Sequence, residues 1–216
     1  MIIRWIKCGL IAKLSRFRRD AEGTVLVEMA IVLPIFLLLL LGLIDFGRMG
    51  GEFVMADKAM QRAVRIAAVR PAACPALPTV NLRGSGAGAT THYGTSCAAG
   101  TNFCVNPGVV TCTASASNAT AAEIWTAIAP LMPSHATVSN LKLSYSFDAN
   151  LGFLGGPYVP VVTVEIQNLD FQFATPLSAL AALVGVPDGN APGATLPFPK
   201  TSTSLPGEDL AAGNAG

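Results

Sequence analysis

From Glu22 to Ile44 the chain reads E-G-T-V-L-V-E-M-A-I-V-L-P-I-F-L-L-L-L-L-G-L-I. Between Val25 and Ile44 only Glu28, Pro34 and Gly42 interrupt the apolar run. About 20 such residues in a helix cross the hydrocarbon core of a bilayer, so residues 24–44 are predicted to form a single transmembrane helix. Pro34 is compatible with that, because neighbouring groups in a membrane protein can re-satisfy the carbonyl it frees. A secretory signal reads differently, with an apolar core of about 7–15 residues and then a small-x-small cleavage site. Here the run is longer and is followed by Asp45-Phe-Gly-Arg48.

The flanks set the direction. Ahead of Gly23 stand Arg4, Lys7, Lys13, Arg16, Arg18 and Arg19, against Asp20 and Glu22. Basic residues beside a membrane segment stay on the cytoplasmic side, which points the C-terminal part outward. Residues 1–23 then read as a basic leader, a targeting segment with no fold of its own. After the apolar run, Phe46, Met49, Phe53, Ala56, Met60, Ala63 and Ala67 recur at steps of three and four, predicting an amphipathic extension over 45–70. Arg48 and Glu52 are spaced to pair across one turn. Pro71 ends the pattern, and Gly50-Gly51 offers a hinge. A continuous helix from Thr24 to Val69 measures about 70 Å by the helical rise. Its Met and Phe stripe packs either on the chain's own outer domain, the simpler expectation, or on other subunits.

Glu28 is the oddity of the run. A carboxylate at the centre of a membrane helix costs up to about 3 kcal/mol, less near an end. Either it rests among lipid headgroups, or it meets a cationic partner, as intramembrane carboxylates commonly do.

Only 12% of the 216 residues are charged and the net charge is +1, which gives no bulk signal for nucleic-acid binding. Cys8 lies in the leader, whereas Cys74, Cys97, Cys104 and Cys112 follow the apolar helix. Four cysteines in one window on an oxidising side favour two disulfides, with three pairings open. Zinc is the competing reading, but there is no Cys-x-x-Cys, and His92 and His135 lack motif spacing.

Residues 71–117, rich in Gly, Ala, Pro, Ser and Thr, read as a long surface loop stapled by those cysteines. It is either a partner-contacting surface or a variable insertion. Gly84-Ser-Gly-Ala-Gly88 lacks the Gly-Lys-Ser/Thr of a phosphate loop. The outer domain is expected over 118–205. Ala119–Leu131 reads as a helix capped by Thr120, with Ile124, Ile128 and Leu131 on one face. Leu141, Leu143, Tyr145 and Phe147 alternate with polar residues as a half-buried strand. A turn over Asn150–Pro157 leads to a second strand, Val159–Gln167, with Val162, Val164 and Ile166 inward. Thr175–Val184 suits a short helix. Leu196–Leu205 is strand-like, but Pro197 and Pro199 confine it to an edge. Residues 206–216 form a flexible tail. The fold class is therefore α+β: a long N-terminal membrane-spanning helix continuing into a small antiparallel-sheet domain, with a disulfide-stapled loop.

Gly23-Thr-Val-Leu-Val-Glu28 resembles the type IV prepilin processing site. The longer block Glu28-Met-Ala-Ile-Val-Leu-Pro34, then Leu43-Ile-Asp-Phe-Gly-Arg48, resembles the TadE-like pseudopilins of tight-adherence (Flp) pilus systems, and the Thr201-Ser-Thr-Ser204 run resembles the final strand of such chains. One departure is Met29, where pilins of that branch often carry tyrosine. The resemblance implies cleavage after Gly23 by a prepilin peptidase, a mature chain starting at Thr24, and pairing of Glu28 with the N-terminal amine of a neighbouring subunit. It implies a minor pseudopilin in the bacterial inner membrane, single-pass, N-terminus cytoplasmic and outer domain periplasmic. Its partners would be the peptidase, other pilins and pseudopilins, inner-membrane pilus assembly proteins and membrane lipid.

No catalytic constellation stands out. Asp148, Glu165 and Asp170 flank or lie on strands, where carboxylates are usually solvated. No cofactor fingerprint or metal motif is present, so neither an enzyme nor a cofactor is expected. Two further readings stay open: a pilus-tip adhesin using the loop between Cys74 and Cys112, and a membrane-anchored envelope enzyme.

Overall fold

The computed structural model describes residues 22–174, 196–208 and 210. The chain divides into two compact units, one formed by Met1–Gly47 with Gln172–Thr195 and the other by Arg48–Phe171 with Leu196–Gly216. The expected leader before Glu22, the expected helix at Thr175–Val184 and most of the tail lie outside the described residues.

Helix α1 spans Glu22–Val69 without interruption. It passes through Pro34, which removes one ladder donor, and through Gly50-Gly51, which is helical rather than a hinge. In the first unit the described part of α1 is largely exposed and apolar, Val25 and Leu26 being 63% and 73% accessible. Near its end Asp45 is fully buried and accepts the Ala174 N–H at 3.2 Å. The rings of Phe46 and Phe173 meet edge-on at 6.4 Å.

In the second unit a four-stranded antiparallel sheet has the order β1-β2-β3-β6. Its strands are β1 Val109–Thr113, β2 Leu141–Ser146, β3 Val161–Ile166 and β6 Ser202–Pro206. A separate two-stranded ladder pairs β4, Asp170–Phe171, with β5, Leu196–Pro197. The period-2 alternation of β2 and β3 decides which face is inward: Leu141, Leu143, Tyr145, Val162, Val164 and Ile166 are all buried. Helix α2, Ala119–Ile128, buries Ile124 and Ile128. Asn118, not Thr120, is its N-cap and accepts the Ala121 N–H at 3.0 Å. Thr120 instead donates its hydroxyl to the Pro71 carbonyl at 2.8 Å.

Three expectations are corrected. The buried stripe of α1 is Ala56, Ala59, Met60, Ala63, Val64 and Ala67, whereas Phe46 and Phe53 are exposed and Met49 is half-buried. The stripe was expected to run the whole length, but close packing is confined to the part where small side chains let the helix backbone approach its neighbours. Residues 71–117 are not all loop, because β1 lies among them and forms an edge of the sheet beside β2. The expected strand Leu196–Leu205 is two short strands separated by buried Phe198 and Thr201. Its edge position holds: among the described residues β6 pairs with β3 alone.

The turn of chain leaving α1 is held from many sides. The Ala68 carbonyl accepts the Glu208 N–H at 2.8 Å. Arg70 pairs with Glu123 of α2 at 2.8 Å. The Ala73 N–H donates to the Tyr145 hydroxyl at 3.0 Å, and the Ala73 carbonyl accepts from the Asn118 side chain at 3.2 Å. Cys74 is then bonded to Cys112 on β1.

Burial pushes the Tyr145 hydroxyl pKa up, and its bond to Ala73 pulls the other way. A raised value keeps its contribution to stability intact below the ordinary tyrosine pKa of about 10 and loses it as pH climbs through the folded value. Tyr145→Phe leaves the Ala73 N–H without its partner and is expected to cost about 1–3 kcal/mol at pH 7. It should also flatten the decline in stability above about pH 10. Urea melts of the oxidised protein in detergent at neutral and alkaline pH, read by Trp125 fluorescence, check both.

Candidate functional site

Two places carry the residues singled out by the sequence, one in each unit. In the first, Gly23 and Thr24 lie in the opening turn of α1. The first backbone N–H groups of a helix have no partner within it, so that turn opens more easily than the rest. Glu28 follows one turn later. Its side chain is exposed, and nothing among the described side chains bonds to it. Around it on the helix surface, at three, four and seven residues' distance, stand Val25, Ile31, Val32 and Ile35, each exposed. The result is a lone carboxylate on an uncovered apolar rod. Such a helix, apolar all round, has no stable place in water, and it is long and apolar enough to cross a membrane. In that setting the carboxylate calls for a cation.

The second place is a lobe inside the long stretch before α2. Cys97 is bonded to Cys104 and Cys74 to Cys112, so the outer cysteines are used as two disulfides rather than as zinc ligands. The segment Thr79–Gly84 is extended and paired on both sides. Asn81 exchanges backbone bonds with Gly155 and Gly156, while Leu82 and Gly84 bond to Val105 and Phe103. The Cys97–Cys104 disulfide packs on Leu154, with Phe147 and Ala149 beside it. The Phe147 and Tyr158 rings stack at 6.4 Å. Arg83 fastens the following loop by donating to the carbonyls of Gly88 and Thr91 at 2.7 and 2.8 Å, and its guanidinium lies 5.6 Å from the Tyr93 ring centre.

The glycines rejected as a phosphate loop have a structural cause. A side chain on Gly84 or Gly86 would run into the carbonyl oxygens of Asn102 and Thr101. On its outer face the lobe bears an apolar groove of about 310 Å³, lined by Leu77, Pro78, Val80, Leu82, Val105 and Tyr158. Sequence reasoning named the loop but not this groove, because its walls come from three separated segments. The alternation Val80-x-Leu82 was the one local signal available.

Asp148, Glu165 and Asp170 are not brought together as a catalytic group. Asp148 caps the short turn at Asn150, Glu165 pairs with Lys142 at 3.4 Å, and the Asp170 carbonyl is bonded to His135. Among the described residues no group of three or more His, Cys, Asp or Glu side chains is placed to hold a metal ion.

Fold and site define a class: a small α+β domain attached to a helix fit to cross a membrane. Residues 23–68 match the family model described as TadE-like protein, which supports a TadE-like protein. The match covers about a fifth of the chain and includes Gly23, Thr24 and Glu28, but neither the sheet nor the disulfides. No curated protein and no solved structure matches the chain significantly.

The two disulfides differ in what they hold. Cys74–Cys112 closes 38 residues and Cys97–Cys104 closes 7. On loop-closure entropy, replacing Cys74 and Cys112 by Ser is expected to cost about 4 kcal/mol, and replacing Cys97 and Cys104 about 2–3 kcal/mol. Chemical denaturation of each double variant ranks them.

Proposed function

We propose that the chain is a minor pseudopilin that takes part in assembling or initiating a tight-adherence (Flp) pilus. The family matched at residues 23–68 is pilus-related and structural rather than enzymatic, which supports a Tad pilus-associated protein. The observation that carries the finer reading is Glu28, exposed and unaccompanied on an apolar helix a fixed step past Gly23. In this proposal the chain sits in the bacterial inner membrane with its N-terminus cytoplasmic and its outer domain periplasmic. A prepilin peptidase removes residues 1–23. Cleavage creates an ammonium group on Thr24, and two such mature chains side by side can match the amine of one with the Glu28 carboxylate of the other. Each ion offsets the desolvation cost of its counterpart in lipid. The reading needs no cofactor and no catalytic side chain.

The expected mature N-terminus in cells with an active peptidase is Thr24, and N-terminal sequencing or intact mass measurement checks it. Recovery of uncut protein from such cells overturns the processing step. Glu28→Ala is expected to leave cleavage intact and to cut incorporation into the pilus apparatus severalfold; normal piliation with this variant removes the pairing role.

The groove on the disulfide-stapled lobe favours a second reading, a pilus-tip binding subunit. Val80→Ser with Leu82→Ser should then abolish adhesion while leaving piliation unchanged, and equal loss of both returns the lobe to a structural role. Nothing in the lobe or the sheet favours the envelope-enzyme reading.

A further inference from the structure

Within the second unit, α1 has two opposed faces. One is the buried stripe from Ala56 to Ala67. The other exposes Gly51, Val54, Met55, Lys58, Arg62 and Arg65, which at steps of three and four form one continuous strip. Its start is small and apolar and its remainder is cationic. Lys58, Arg62 and Arg65 make no ion pair among the described residues, although Arg48, Arg70 and Lys142 each have a carboxylate.

The glycines add a second, independent observation. Each glycine inside a helix costs about 1 kcal/mol relative to alanine. A Cβ on Gly50 or Gly51 would meet nothing within 4 Å, so the outer domain itself gives no reason for them. A bare backbone there suits the close approach of another helix.

We propose that this strip docks an acidic amphipathic helix of a different protein, with apolar residues against Val54 and Met55 and carboxylates against Lys58, Arg62 and Arg65. A second copy of this chain is a poor occupant. The helical acids of its second unit are already engaged, Glu52 by Arg48, Asp57 by Gln61 and Glu123 by Arg70, and the exposed Asp170 and Glu208 lie off the helices. A lipid surface is the competing occupant, and the vesicle arm of the test below separates it from the peptide.

The test uses the full chain in phosphatidylcholine nanodiscs and two labelled helical peptides. Each has a two-leucine apolar end, followed by three glutamates in one peptide or three lysines in the other, at steps of four and three. Fluorescence anisotropy reads binding. The glutamate peptide is expected to bind the wild-type chain and to weaken with added salt. Lys58→Glu with Arg62→Glu and Arg65→Glu should weaken it at least about tenfold and transfer binding to the lysine peptide. Gly51→Leu should leave the melting temperature unchanged or raised yet weaken the glutamate peptide about fivefold or more by blocking close approach. Equal binding by wild type and the reversed variant overturns the proposal. So does pairing of the chain with itself in the discs that the reversed variant abolishes, or tighter binding to phosphatidylglycerol vesicles than to the peptide. If the chain fails to enter the discs, the membrane reading falls, and the same titration in detergent still decides the docking.

Discussion

An α-helix satisfies its own backbone hydrogen bonds, so a single helix can run from a medium that offers no donors into a packed domain without leaving a polar group unpaired. The rest of this chain is arranged around that property. Helix α1 uses one ladder for two solvents. Its first part is mostly apolar and largely exposed, and its later part buries only an alanine-rich stripe. Pro34 and the Gly50-Gly51 pair, residues that usually interrupt a helix, are carried inside it.

Past Val69 the problem changes from solvent to attachment. The few residues from Ala68 to Cys74 gather a backbone bond from Glu208, an ion pair to α2, three side-chain bonds and a disulfide to β1. Each bond alone is worth about 1 kcal/mol. Together with loop closure by Cys74–Cys112, they fix the exit of the helix to both edges of the domain's sequence, β1 early and the segment after β6 late. A force or a partner acting on the helix is thereby transmitted to the sheet rather than absorbed in a loose linker.

Much of the fold was legible because it rests on periodicity. The alternation of Leu141, Leu143 and Tyr145, and of Val162, Val164 and Ile166, reports a half-buried pleat directly, and those strands pair in the expected hairpin. The C-terminal end of α1 followed from Pro71. What escaped was whatever depends on contacts between distant segments. β1 hides among polar and small residues because an edge strand buries little. The cap of α2 fell to Asn118 because Thr120 was taken by Pro71, 49 residues away in sequence. The groove needs three separate strands of chain to exist at all.

The sequence by itself determined that a helix fit to cross a membrane comes first, that a carboxylate interrupts it at Glu28, and that an antiparallel domain follows. Local spacing carries all of these, since hydrophobic period and chain length act within a few turns. Tertiary structure alone decided which cysteines pair, which face of α1 is covered, and which cations on its other face stay open. Those depend on where remote segments meet, and no window of residues encodes a meeting place.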